Sequence, residues 1–336
     1  MVAEFIGAAQ RSLDLAQYDF NLGPETRDVV GGALRDAAAR GVAVRILYNV
    51  DHPSPIPVPP PPEPDVELIA SLGVPERAIA GVPDLMHHKF VVRDGESVWT
   101  GSLNWTDDSW SRQENVIVTV DSPELARAFS IDFDELWKDG DVERSGFAEP
   151  RPVEVDGVRV RPWFTPGFAD GLTHRIAKKI GHAKRVRICS PVITSAPVLG
   201  TLAQAIADGK ADIAGCVDRT QVDEVLRQWQ ADGNVTWKIP MLQQVLGGSF
   251  SGKNSTPWAP GSLHDFMHAK VVVADDTAFV GSFNLSHSGE KNAENVLEIA
   301  DAELAKRLGA FVDEVRSRYP SAMSEGQSLG PGRKSG

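Results

Sequence analysis

The chain has 336 residues, 42% hydrophobic and 24% charged, which excludes a disordered protein and leaves room for one large or two medium domains. Lys and Arg total 34 against 46 Asp and Glu, a net charge of −12 that disfavours non-specific nucleic-acid binding but not a local basic groove. Two cysteines exclude a disulfide-built scaffold and a four-cysteine zinc site; Cys189 and Cys216 lie in apolar, strand-like runs and read as reduced core residues.

In chain order, the pattern predicts a helix over Val2–Gln10, a strand over Leu13–Tyr18, a helix over Gly31–Arg40 and a strand over Val42–Tyr48. Gly41 stands where a helix stop favours a left-handed cap. Residues 52–65 hold eight prolines, which rule out helix or inner strand there. Ser122-Pro123-Glu124 then opens a helix carrying Leu125, Ala128, Phe129 and Leu136 at near-helical spacing. The same order recurs with a helix over Leu172–Ile180, a strand over Val186–Cys189, a helix over Val198–Asp208, Gly209, and a strand over Ala211–Val217. Residues 247–262, rich in Gly, Ser and Pro, form a second insert. Gly41 lies 46 residues before His87 and Gly209 lies 59 before His268, so the second interval is 13 residues longer. The tail from Ser321 reads as disordered. No run approaches the ~18 apolar residues of a membrane span, and Met1–Gln10 has no secretory pattern, so the chain reads as soluble, with a cytoplasmic setting favoured.

The recurrence is an internal repeat with a period near 180 residues. Gln113-Glu114-Asn115-Val116 recurs as Ala293-Glu294-Asn295-Val296, and Ser12–Ala16 aligns with Arg185–Cys189. Such a period is too long for a solenoid unit and implies two domain-sized α/β halves packed as a pseudo-dimer.

Each half carries one motif. The first reads His87-His88-Lys89, Asp94, then Gly101-Ser102-Leu103-Asn104. The second reads His268-Ala269-Lys270, Asp275, then Gly281-Ser282-Phe283-Asn284, one residue shorter after Asp275. Met86–Val92 and Met267–Val273 read as strands, so His87 with Lys89, and His268 with Lys270, share a face. The same parity joins Ser102 to Asn104 and Ser282 to Asn284, so these four side chains are expected to add neutral hydrogen bonds, with Ser102 and Ser282 touching substrate. Facing halves would set two imidazoles around a cationic pocket suited to a phosphodiester. One imidazole can attack phosphorus while the other protonates the leaving oxygen and later deprotonates water. Lys89 and Lys270 would hold the non-bridging oxygens and disfavour imidazolium. Glu114 and Glu294, each ten residues past the motif Asn, could fix the imidazole tautomers. His88 points to the opposite face and reads as structural, and His264 as a loop residue. Trp105 and Trp110 read as packing rather than as a cation–π wall. His52, His174, His182 and His287 have no partners at metal spacing, so neither metal nor cofactor is expected.

These motifs resemble the HKD signature of the phospholipase D superfamily, over roughly residues 1–320. The resemblance implies two tandem α/β/α sandwich domains, residues 1–145 and 155–320, in a pseudo-twofold bilobed monomer followed by a tail at 321–336. It implies metal-independent phosphodiester chemistry through a covalent phosphohistidine, with His87 as nucleophile, His268 as acid and base, and structural roles for Asp94, Asp275, Gly101 and Gly281. The expected substrate is a phospholipid head-group phosphodiester, with peripheral membrane contact. A nucleic-acid endonuclease, a cardiolipin-synthase-like transferase and an inactive binding scaffold are the alternatives.

Overall fold

The computed structural model describes residues 1–52, 64–257, 259 and 264–323. Two mixed sheets form its frame. The first runs, edge to edge, Glu76–Ala80, Ala43–Val50, Ser12–Gln17, Lys89–Arg93, Ser97–Gly101 and Ile117–Asp121. The second runs Ser249–Lys253, Asp212–Asp218, Arg185–Cys189, Val271–Ala274, Thr277–Gly281 and Glu294–Ala300, then adds Val158–Thr165 and Val153–Val155. In each, the first three strands are parallel and the fourth turns antiparallel. Parallel strands need helical crossovers, and these cover the outer faces. Val2–Gly7 and Gly32–Ala39 pack on the first sheet, and Ala169–His182 and Ala196–Asp208 on the second.

Local chemistry sets the element ends. Gly41 (φ +87°) and Gly209 (φ +63°) follow the two crossover helices in the left-handed region. The Ser122 hydroxyl accepts the Leu125 N–H at 3.3 Å, Pro123 opens the helix Pro123–Asp139, and Gly140 closes it. This helix buries Leu125, Phe129, Phe133 and Leu136 between the first sheet and Phe164 and Leu297 of the second half. The helix Ala302–Ser317 covers the inner face of the second sheet, where Val116 and Val118 of the first half also pack. Both halves therefore contribute to the apolar clusters at the seam.

Two expectations need correction. Residues 249–253 of the second Gly/Ser/Pro-rich stretch are an edge strand, paired in parallel with Asp212–Asp218. The helices Arg219–Ala231 and Ile239–Leu246, between these two strands, hold much of the second half's extra length. Ser321–Met323 are packed, not loose: the Ala322 N–H bonds the Phe250 carbonyl at 2.9 Å and its side chain is buried. Residues 324–336 and most of the polyproline stretch (53–63) lie outside the described residues. Among the described residues, no helix is long and apolar enough to cross a membrane.

Candidate active site

Both motif histidines stand at the seam, each anchored by the opposite half. The His87 N–H donates to the Ala293 carbonyl at 2.9 Å, and the His268 N–H to the Glu114 carbonyl at 3.2 Å. Just before them, Met86 N–H is held by Asn49 Oδ1 and Met267 N–H by Asp218 Oδ2, each at 3.0 Å. Burial raises the Asp218 carboxyl to about 6 against the pull of the hydrogen bonds it accepts from Ser255, Gln221 and Met267. His87, His268, Asn104 and Asn284 line one cavity of about 710 Å³. The carboxamide oxygens of Asn104 and Asn284 are buried there without a hydrogen-bond partner among the described residues.

The glycines of the motifs set the register. A Cβ at Gly101 would stand 2.1 Å from the Val116 carbonyl oxygen, and one at Gly281 would stand 2.0 Å from that of Asn295. The next amides, Ser102 and Ser282, donate to those same carbonyls at 2.9 Å. Val116 is thus the counterpart of Asn295, Asn115 of Glu294, and Glu114 of Ala293. The sequence repeat is displaced by one residue here, because the first half carries one more residue between the capping Thr106 and this strand than the second carries after Ser286.

The displacement changes which side chains reach the imidazoles. His87 Nδ1 lies 2.8 Å from both oxygens of Glu294. His268 Nδ1 lies 3.1 Å from Asn115 Oδ1, not against Glu114. Successive side chains on an extended segment point to opposite faces, so Glu114 turns away. It pairs with Lys253 Nζ at 3.0 Å and accepts the Tyr319 hydroxyl, clasping the two halves behind the site. Ser102 and Ser282, expected to touch substrate, are fully buried one layer down. The Ser102 hydroxyl donates to Asn115 Oδ1 at 2.8 Å, while Ser282 hydrogen-bonds Glu294.

The lysines also sit behind the wall. Lys89 and Lys270 each donate Nζ to the carbonyl of their own motif histidine at 2.7 Å. Lys89 stands 4.6 Å from the centre of the Tyr18 ring, which in turn lies 4.6 Å from the His87 ring. Burial drives the Lys89 ammonium down to about 7 against the pull of Glu294 and Asp19, and burial, then Lys89, lowers Lys270 well below the ordinary lysine value. Burial, then Lys89 and Lys270, hold His87 well below the ordinary imidazole value; burial, then the same two lysines, do so for His268. Burial also raises Glu294 to about 8, opposed by both lysines and by Ser282 and Asn292.

Asp94 and Asp275 build turns. Both adopt positive φ, and their carboxylates accept backbone N–H groups: from Gln10, Arg11 and Ser12 for Asp94, and from Lys184 and Arg185 for Asp275. His88 is a core residue. Its Nε2 lies 2.8 Å from Asp132 Oδ2, and its Nδ1 accepts from Asn295, which also accepts the Thr100 hydroxyl across the seam. Trp105 is fully buried in the first half's core. His264, read as a loop residue, does line the cavity, as do His52 and His287, weighed in the sequence only as metal ligands, and Tyr18, Asp19 and Asn21, which the sequence reading did not single out. Among the described residues, no three His, Cys, Asp or Glu side chains are grouped to hold a metal ion.

Two facing α/β halves that share one histidine-lined seam define a class, and comparison supplies the family. The profile described as "Cardiolipin synthase, PLD-like domain" matches residues 2–137 and 176–315, most of both halves, and the chain belongs to this phospholipase D-like family. A human protein named mitochondrial cardiolipin hydrolase is 30% identical over 165 residues, which is 46% of this chain and 60% of that protein. A protein named phospholipase D from Rickettsia bellii is 26% identical over 128 residues, 38% of this chain and 58% of that one. The matches therefore span about 60% of the length of these curated relatives. Among solved structures, phosphatidylserine synthase from Haemophilus influenzae shares the fold, with a TM-score of 0.66 at 14% identity over 94% of this chain and 83% of that one.

Proposed function

We propose that this chain is a phospholipase D-type phosphodiesterase that hydrolyses a phospholipid head-group ester through a phosphohistidine on His87. The observation that carries this reading is the seam: two imidazoles from separate halves border one cavity, and each Nδ1 is held by the opposite half. With Nδ1–H donated to Glu294, His87 presents a free Nε2 lone pair. Nε2 attacks phosphorus, the P–N bond forms and the P–O bond to the leaving alcohol breaks. His268 gives its proton to that oxygen. Water then attacks phosphorus, His268 takes its proton, and the P–N bond breaks to restore His87. A bound phosphodiester anion beside Lys89 and Lys270 offsets the charge that depresses both imidazoles, which favours the protonated His268 that the first step needs. Asn104 and Asn284 add hydrogen bonds to the phosphoryl oxygens. The names of the relatives support a lipid substrate, and the synthase description of the family supports transfer to an alcohol in place of water.

A chromogenic phosphodiester, with wild type beside His87→Ala and His268→Ala, tests the chemistry. Turnover by wild type alone is expected, and turnover that survives both substitutions rejects the mechanism. Phospholipid vesicles beside single-stranded DNA test the substrate class. Added ethanol should yield a phosphatidylethanol product from the shared intermediate.

A further inference from the structure

The two motif histidines are backed by residues of opposite chemistry. Successive side chains on an extended segment alternate faces, so His87 meets Glu294 on the cavity side and the next residues, His88 and Asn295, meet behind it. On the other side His268 meets Asn115, and the next residues are Ala269 and Val116. The contrast runs through the whole neighbourhood. Asn295 Oδ1 accepts the Thr100 hydroxyl at 2.6 Å, and its Nδ2 donates to His88 Nδ1 at 3.1 Å. His88 Nε2 lies 2.8 Å from Asp132 Oδ2, and Asp132 Oδ1 accepts the Gly146 N–H at 3.0 Å. Thr100, His88, Asn295 and Asp132 are all fully buried. Val280 precedes Gly281 as Thr100 precedes Gly101, and Phe311 lies ten residues past the capping Asp301 as Asp132 lies ten past the capping Ser122. The four polar residues therefore correspond to Val280, Ala269, Val116 and Phe311, which all pack in one apolar cluster.

The fold is satisfied there by apolar side chains, so the polar chain is not needed to fill the space. Burying it costs desolvation that its hydrogen bonds only offset. What it adds is direction, because a hydrogen bond fixes an angle that an apolar contact leaves free. We infer that His88 and Asn295 are positioning residues for His87: their bond across the seam, braced by Thr100 and Asp132, fixes the backbone beside Glu294 against the backbone beside His87 and so holds the Glu294 carboxyl on Nδ1. Neither side chain lines the cavity. The pseudo-symmetric site is thereby stiffened on the side that attacks, while the His268 side keeps its apolar backing. This rests on His87 being the attacking residue.

The test is the first-turnover burst of nitrophenolate from bis(p-nitrophenyl) phosphate. Its leaving group needs no proton, so the burst reports the attack by His87. The double variant Thr100→Val/Asn295→Val gives this side the valines of the other. Its burst should be about tenfold to hundredfold slower than wild type, with the half-saturating concentration within about threefold, because no group in the cavity has changed. Proton NMR with isotope-labelled histidine, assigned by the resonance missing from His87→Ala, should show the His87 Nδ1–H sheltered in wild type and exchanging rapidly with water in the double variant. Thr173→Val, which removes a buried hydroxyl from the helix Ala169–His182, should lower Tm and change neither readout. If the double variant does not fold, Thr100→Val alone, which loses one hydroxyl and keeps its shape, should slow the burst several-fold. A folded variant with a wild-type burst or an unchanged His87 signal overturns the inference, as does rapid exchange already in wild type or an equal slowing in Thr173→Val. If wild type cleaves no phosphodiester, the hydrolase reading fails and the His87 signal decides alone: rapid exchange in the double variant upholds the clamp, and a wild-type signal there rejects it.

Discussion

His87 and His268 are bound unequally at Nδ1: the first meets both oxygens of Glu294 at 2.8 Å, the second the carboxamide oxygen of Asn115 at 3.1 Å. A carboxyl group can ionise against the positive charge that develops on a phosphorylated imidazole, whereas a carboxamide orients without adding charge. The asymmetry thus favours His87 as the covalent centre. Glu294→Gln should lower kcat by roughly 10² to 10⁴-fold, the range expected when an imidazole loses its orienting carboxylate. Asn115→Asp places a carboxylate beside His268, favours its protonated form and should extend the alkaline limb of the pH–rate profile upward. A profile unmoved by Asn115→Asp would show that Asn115 does not act through His268.

Glu114 has a different assignment. Glu114→Gln removes the nearer carboxylate of buried Lys253 and leaves it Asp265 at 3.8 Å and the Arg112 carbonyl at 3.3 Å, at a cost of up to about 3 kcal/mol. The expected result is a large fall in Tm with the pH–rate profile of the folded enzyme unchanged. A shifted profile would place Glu114 in communication with His268.

This pair of glutamates shows what the sequence can and cannot disclose. The two motifs, the repeat and the layered α/β halves follow from spacing and turn chemistry, which are local, while the structural roles of Asp94 and Asp275 came with the family resemblance. The register around Asn115 does not. Glu114 and Glu294 both lie ten residues past a motif Asn, and only the carbonyls packed against Gly101 and Gly281 reveal the extra residue in the first half. The cavity walls were equally hidden. Tyr18 and Asp19 are far in sequence from Trp229 and Phe266, and they line one cavity only when the halves pack. Ser102 and Ser282 share strand parity with the motif asparagines, but hydrogen bonds to Asn115 and Glu294 draw their hydroxyls below the wall.

Stability should depend on pH through Lys89. Its folded value of about 7 lies below the ordinary 10.5, so between these pH values the unfolded chain binds more protons and stability rises with pH. Below pH 7 Lys89 is charged in both states and the burial penalty is fully present. Glu294 acts oppositely: its folded value of about 8 lies above the ordinary 4.5, so its contribution is complete below pH 4.5 and lost as pH rises through 8. Urea denaturation should therefore give Lys89→Met a smaller gain in stability than wild type between pH 8 and pH 10. An identical gain would place the titrating group elsewhere.

Asp94→Ala removes the acceptor for three backbone N–H groups and puts a non-Asx side chain at φ +57°. A lower denaturation midpoint is expected, with kcat of the folded fraction within about twofold of wild type. A selective loss of kcat at unchanged midpoint would assign Asp94 a part in the chemistry.

The most direct test of the central claim is to quench a reaction on phosphatidylcholine with alkali within one turnover and map the modified residue by mass spectrometry. The account predicts a phosphatidyl adduct on His87 in wild type, absent from His87→Ala and diminished in His268→Ala, where the leaving alcohol lacks its acid. An adduct on His268, or product release without a histidine adduct in any of the three proteins, would contradict it.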